Sequence, residues 1–210
     1  MVALLEIVFE YINNEEFIIL IKPLLIPLLI SIYCLESNKK SFIYITALVL
    51  NWLANVLFIS TKVDYINLAA LFFILQRIFM VYKIHLILKP LKWSLVLLGT
   101  IPFIFLFLCS INFIFIQLEG TPFYISLIQS IIMSFFGGLA LSNYTMKNNT
   151  TSKLLLLSSI FFALNILIVG IRLYFLDFQI LKPISMLFFI LGHYIFYLFI
   201  TKVEAKKFNL

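Results

Sequence analysis

Residues 153–176 read KLLLLSSIFFALNILIVGIRLYFL, with no charge between Lys153 and Arg172 and one amide, Asn165, near the middle. An apolar run of this length matches the about 20 residues a helix uses to cross the hydrocarbon of a bilayer. It is about twice what a barrel strand needs and lacks a polar-apolar alternation, so helix is the expected element. Outward from it, apolar runs bounded by charge or turn residues recur at 17–35, 41–60, 65–88, 93–118, 122–144 and 180–202. The expectation is an all-α, polytopic transmembrane bundle of seven spans, a single membrane domain. Residues 1–16 form an acidic N-terminal segment, and a short helix at 2–12 can lie in the membrane interface as an eighth element.

Composition agrees. The 210 residues are 64% hydrophobic and 11% charged, with mean hydropathy +1.15, whereas a soluble domain carries about 25% charged residues. No extramembrane domain fits, and the net charge of +6 reads as a topology signal before it reads as a nucleic-acid-binding face. Cys34 and Cys109 fall in different apolar runs and form no CxxC pair, so both read as small hydrophobes. The glutamates Glu6, Glu10, Glu15 and Glu16 replace the basic start of a secretory signal, so no cleaved leader is expected. Pro23, Pro122 and Pro183 sit near segment starts, where a missing N–H costs little.

Orientation follows from the lysines. Lys39 and Lys40, then Lys83, Lys89 and Lys92, then Lys147 and Lys153, then Lys202, Lys206 and Lys207 fall on one side under strict alternation. The acidic N-terminus, Lys62 with Asp64, Glu119 and Asp177 fall on the other. This predicts an external N-terminus, a cytoplasmic C-terminus and a cell-membrane location. The Asn- and Thr-rich stretch 143–152 reads as a flexible connector.

Polar side chains inside spans are the candidates for function, because lipid exposure costs a few kcal/mol each and they turn toward a bundle interior. Lys22 lies in the first run, Asn51 and Asn55 share a helix face in the second, and Gln76 and Arg77 sit in the middle of the third. Asn165 and Arg172 lie seven apart in the sixth run, and His193 and Tyr197 four apart in the seventh. Each has a plainer reading: Lys22 and Arg172 can snorkel, the asparagines can bridge helices, and His193 alone reads as a core histidine. Arg77 resists this. It is far from either headgroup region and no acid lies deep in any span to pair with it, so backbone and amides solvate it or its anion is a ligand, such as a lipid phosphate. No GxSxG, HExxH, glycine-rich phosphate loop or metal-ligand cluster occurs, and no cofactor or metal is expected. A retinal pigment is excluded by the lack of a mid-span lysine in the last run and of an intramembrane carboxylate. The scarcity of interior acids argues against a proton-coupled transporter.

The order of short motifs from about residue 20 onward resembles the YhhN-like family, polytopic membrane proteins that include lysoplasmalogenase. Lys22-Pro23-Leu24 is similar to the family's early Lys-Pro-Leu helix, Asn51 through Leu57 to its Ser-x-x-Gly-Asp helix, and Phe72 through Phe79 to its Phe-x-x-x-His-x-x-Tyr helix. Pro122 through Leu141 resembles the antepenultimate span, Leu164-Asn165 the Ser-Asp helix, and Leu191-Gly192-His193-Tyr194 the Leu-Ala-Gln ending. The resemblance implies hydrolysis of the vinyl ether of a lysoplasmalogen to a fatty aldehyde and a glycerophospho-alcohol. It places His193, Asn55 and Asn165 in the catalytic set and Lys22, Asn51, Gln76, Arg77 and Arg172 around a lysophospholipid. The family's two aspartates fall on Asn55 and Asn165, its histidine on Gln76, its tyrosine on Phe79 and its late glutamine on His193. The reaction needs a proton donor and a group to orient water. Asparagine orients water and gives no proton, which leaves His193 as the acid of a rearranged site. The alternative is a non-catalytic lipid-binding or structural membrane protein that kept the pocket and lost the acids.

Overall fold

In hydrocarbon a helix satisfies its own backbone, and the apolar runs take that form. The computed structural model describes residues 1–37, 40–60, 62–88, 90–114, 120–176 and 178–208. Its helices are α1 (Val2–Ile12), α2 (Glu15–Ile21), a 3-10 turn (Lys22–Leu24), α3 (Leu25–Glu36), α4 (Phe42–Leu57), α5 (Val63–Ile87), α6 (Trp93–Ile114), α7 (Thr121–Lys147), α8 (Thr150–Tyr174) and α9 (Leu181–Phe208). There is no strand among the described residues. Glu15–Glu36, Val63–Ile87, Thr121–Lys147, Thr150–Leu173 and Leu181–Ala205 are long and apolar enough to cross a membrane, while Phe42–Leu57 and Trp93–Cys109 are apolar but shorter. Lys39, Lys89, Glu119 and Asp177 of the charge pattern lie outside the described residues.

The exterior is apolar, and the interior sets amides into an apolar core that includes Leu48, Phe136 and Phe196. Asn51, Asn55, Gln76 and His193 are buried, whereas Leu97, Leu98, Ile101 and Phe105 of α6 are exposed. An apolar exterior around an amide-lined interior is what lipid as solvent selects.

Successive helices pair as neighbours, α4 with α5, α6 with α7 and α8 with α9, and α7 sits between α5, α6 and α8. Small residues allow this crowding. A Cβ on Gly138 would stand 2.8 Å from the Val96 carbonyl oxygen, and one on Gly99 would stand 2.9 Å from the Gly138 oxygen, so α6 and α7 touch backbone to backbone. The short α1 folds back against α9. Asn13 caps it in the left-handed conformation (φ 57°). Lys182 Nζ holds the Asn13 side chain at 2.6 Å, and Gln179 Nε2 donates to the Tyr11 carbonyl at 2.8 Å.

Two junctions differ from the sequence expectation. The stretch 143–152 is no flexible connector: α7 continues to Lys147 and α8 begins at Thr150. Asn148 takes the left-handed conformation (φ 38°) and Asn149 closes a capping box with Ser152, so the polar residues are the ends of two helices. Pro23 lies within the Glu15–Glu36 stretch, at a 3-10 break. Pro27 has no N–H to give the Pro23 carbonyl its helical bond, and the Trp52 indole donates to that carbonyl instead at 2.9 Å.

At the end of the bundle where α3 and α9 finish, Glu204 gathers a polar knot. It accepts from Lys83 Nζ at 2.8 Å, Tyr33 Oη at 2.9 Å and Ser37 Oγ at 3.0 Å. Tyr33 Oη in turn accepts the Ser41 N–H at 2.8 Å, and Tyr197 Oη donates to Glu36.

Replacing Trp52 by Phe keeps the ring and removes the donor, leaving the Pro23 carbonyl unpaired. Unfolding in detergent should show a loss of about 1–3 kcal/mol, and an unchanged midpoint would show that the break needs no external donor.

Candidate functional site

The eight polar residues singled out in the sequence, Lys22, Asn51, Asn55, Gln76, Arg77, Asn165, Arg172 and His193, all line one cavity of about 150 Å³. It lies toward the end of the bundle where α4 finishes and α5, α7 and α9 begin, opposite the Glu204 knot. Tyr197, four residues from His193, belongs to that knot rather than to the cavity.

Helical spacing brings the amides into register. Asn51 and Asn55 are one turn apart on α4. Asn55 Nδ2 donates to the Asn51 carbonyl at 2.8 Å and to Asn51 Oδ1 at 3.3 Å. Asn51 Nδ2 then meets His193 Nε2 at 3.2 Å. With its oxygen already accepting, Asn51 offers its NH₂, so Nε2 is the acceptor and the assigned imidazole proton sits on Nδ1. Rings of Phe162 and Phe189 lie 4.8 and 4.6 Å from the imidazole, centroid to centroid, and fix its plane. Gly192 makes room for this, since a Cβ there would stand 2.8 Å from the Phe162 ring.

Two enclosed nitrogens of cavity residues have no partner: Arg77 Nη1 and His193 Nδ1. Both are donors that no acceptor of the cavity wall meets. The Arg77 guanidinium otherwise lies 6.0 Å over the Phe73 ring, and Arg172 lies 5.9 Å over Phe58. Such ring contacts offset part of a cation's desolvation, and on Arg77 they leave Nη1 open. Gln76 is turned to Met80, its Nε2 bonded to the thioether. Asn165 reaches the cavity from α8. On α7, Ser126, Gln129 and Ser130 add polar lining; Gln129 Nε2 donates to the Ala70 carbonyl at 3.2 Å. None of the three stood out from sequence: Ser130 bonds back to the Ser126 carbonyl at 2.8 Å and so costs little in a span, whereas Gln129 is an in-span amide of the same kind as Gln76.

The N-terminal segment also contributes. Glu10 of α1 lines the cavity and accepts from Lys22 Nζ at 2.7 Å. Lys22 is therefore ion-paired. Glu6, one turn earlier, is fully buried, and neither of its carboxyl oxygens has a hydrogen-bond partner. Burial pushes the Glu6 carboxyl up to about 7, with Lys22 opposing and Glu10 adding to the shift. The two acids of the eleven-residue α1, Glu6 and Glu10, four residues apart, were visible in the sequence; what they faced was not.

Among the described residues no three His, Cys, Asp or Glu side chains converge as a metal site would require. No family model, curated protein or solved structure matches the chain.

The raised Glu6 carboxyl links α1 docking to pH. Its contribution is complete below the ordinary carboxyl value of 4.5 and is lost as pH rises to about 7. Amide protection in residues 2–12, corrected for the intrinsic rise of exchange with pH, should therefore fall between about pH 4.5 and about pH 7 in the native protein and level off above that. In Glu6→Gln the corrected protection should show no such step. Parallel behaviour of the two proteins would remove Glu6 as the cause.

Proposed function

We propose that the protein is a divergent YhhN-like integral membrane protein of the cell membrane whose cavity takes the head and first atoms of a lysophospholipid. In this reading it crosses the bilayer seven times, with Glu15–Glu36 as the first span and α4 to α9 as the rest. The N-terminus is external and the C-terminus cytoplasmic. The carrying observation is that a cavity lined by eight in-span polar residues presents unpartnered donors on Arg77 and His193. Donors without acceptors call for an oxygen-rich anion, and a phosphate diester supplies one. A volume of about 150 Å³ is below the about 300–1,000 Å³ of pockets that enclose a whole drug-sized ligand. Only the headgroup and the vinyl ether enter, and the chain extends toward the bilayer.

The reaction is hydrolysis of the vinyl ether of a lysoplasmalogen. Arg77 and Arg172 hold the phosphate; Asn51, Asn55, Asn165 and His193 bind oxygen and orient the attacking water. One observation favours the second reading, a lipid-binding protein without catalysis: Asn55 spends its amide on the α4 backbone and on Asn51, so it is occupied structurally.

Purified protein given a lysoplasmenyl lipid should release fatty aldehyde. Stoichiometric lysolipid binding with no aldehyde would establish the second reading. Arg77→Leu should weaken that binding about tenfold or more, as expected for a charge-assisted bond worth about 1.5–3 kcal/mol, with little change in detergent stability. Equal loss of both would make Arg77 structural. A reporter fused after Leu210 should read cytoplasmic and one inserted near Gly120 external; the reverse would overturn the orientation.

A further inference from the structure

The hydrolysis reading leaves one requirement open, a group that can put a proton on carbon. His193 is poorly suited: Asn51 donates to its Nε2, so the ring is neutral in this arrangement and its remaining N–H, on the unpartnered Nδ1, is a hydrogen-bond donor rather than an acid. Asn55 and Asn165 hold no transferable proton.

Resting on that reading, we propose that the acid comes from outside the family-like stretch, from the Glu6 and Glu10 carboxyl pair that α1 brings against α9, with Glu10 as the catalytic residue and Glu6 as its positioning proton store. Glu10 lines the cavity, and it is the carboxyl nearest the chemistry that the described residues provide there. Glu6 stands one helical turn away, fully buried, with both oxygens unpartnered, a state that suits a neutral carboxyl far better than an ion. The pair thus carries one proton and one negative charge, and Lys22 balances the charge at 2.7 Å. The two carboxyls lie four residues apart on one helix with no hydrogen bond between them, and with only Lys22 to balance the pair the unpartnered Glu6 is the one that stays neutral. The unpartnered Nδ1 of His193 and Nη1 of Arg77 mark the same cavity as a place where a ligand completes the bonding. Nearby charges are few. Glu15 and Glu16 of α2 are exposed, Lys182 of α9 is held on Asn13, and His193, Arg77 and Arg172 line the cavity, Arg172 over the Phe58 ring.

The step balances without any further reactant. The carboxyl O–H of Glu10 breaks as a C–H bond forms at the vinyl ether carbon remote from oxygen, leaving an oxocarbenium ion and a carboxylate. Water adds to the oxygen-bearing carbon, and its proton returns to the carboxylate. The hemiacetal so formed collapses to aldehyde and glycerophospho-alcohol. When the lipid phosphate competes for Lys22, Glu10 is released to receive the Glu6 proton, so binding arms the acid.

The full-length protein in nanodiscs is assayed with 1-alkenyl-glycerophosphocholine for aldehyde release across pH, and with a fluorescent lysophosphatidylcholine for binding. Glu10→Gln should lower aldehyde release by about 100-fold or more with binding retained, and Glu10→Asp should recover part of it. Glu6→Gln should alter the alkaline limb of the pH profile while leaving binding intact. Release by Glu10→Gln at the native rate overturns the assignment and leaves the hydrolysis reading standing. Equal loss of binding and release, unrescued by Glu10→Asp, also overturns it by making the Glu10 contact to Lys22 structural. No release from the native protein removes the hydrolysis reading, and the acid role falls with it.

Discussion

A polar group facing hydrocarbon has no solvent to bond to, and that constraint orders every level of this bundle. It puts leucine and phenylalanine on the outside of α6 and amides on the inside of α4 and α5. It explains why the Trp52 indole reaches across to a carbonyl that Pro27 leaves without its helical donor. It also makes the exceptions informative. Where most interior polar groups are satisfied, an enclosed guanidinium nitrogen and an enclosed imidazole nitrogen stand open on the same cavity, and both want an acceptor.

The two ends of the bundle use this constraint differently. At one end Glu204 is saturated by a lysine, a tyrosine and a serine, a closed set that fastens α9 to α3 and α5. At the other end the polar groups surround space. Rigid closure at one end lets helices hold fixed positions around the opening at the other, which is the condition a binding site needs to keep its donors aimed.

Much of the helical plan was legible in the sequence, because a charge-free run such as 154–171 has few alternatives in a membrane. The convergence of Asn51, Asn55, Gln76, Arg77, Asn165, Arg172 and His193 followed from the cost of leaving such groups in lipid. Other features were hidden for physical reasons. Lys83 and Glu204 are 121 residues apart, and no local period announces their meeting. The eleven residues of α1 are too few to span, so hydropathy gave no sign that Glu6 and Glu10 would be carried inside. Asparagine is frequent in loops and also in caps, and residues 143–152 read as the former while Asn148 and Asn149 serve as the latter. The resemblance begins near residue 20 and had nothing to say about α1.

Asn148 and Asn149 are the whole joint between α7 and α8, two helices long and apolar enough to cross a bilayer. So short a joint suits entry as a single helical hairpin. That matters for α8, whose mid-helix Asn165 would meet acyl chains in a lone insertion. Entering together, α8 has the serine and glutamine face of α7 beside it from the outset. The tight joint is thus a feature of biogenesis as much as of the finished fold, and it places half of the cavity wall in the membrane in one step.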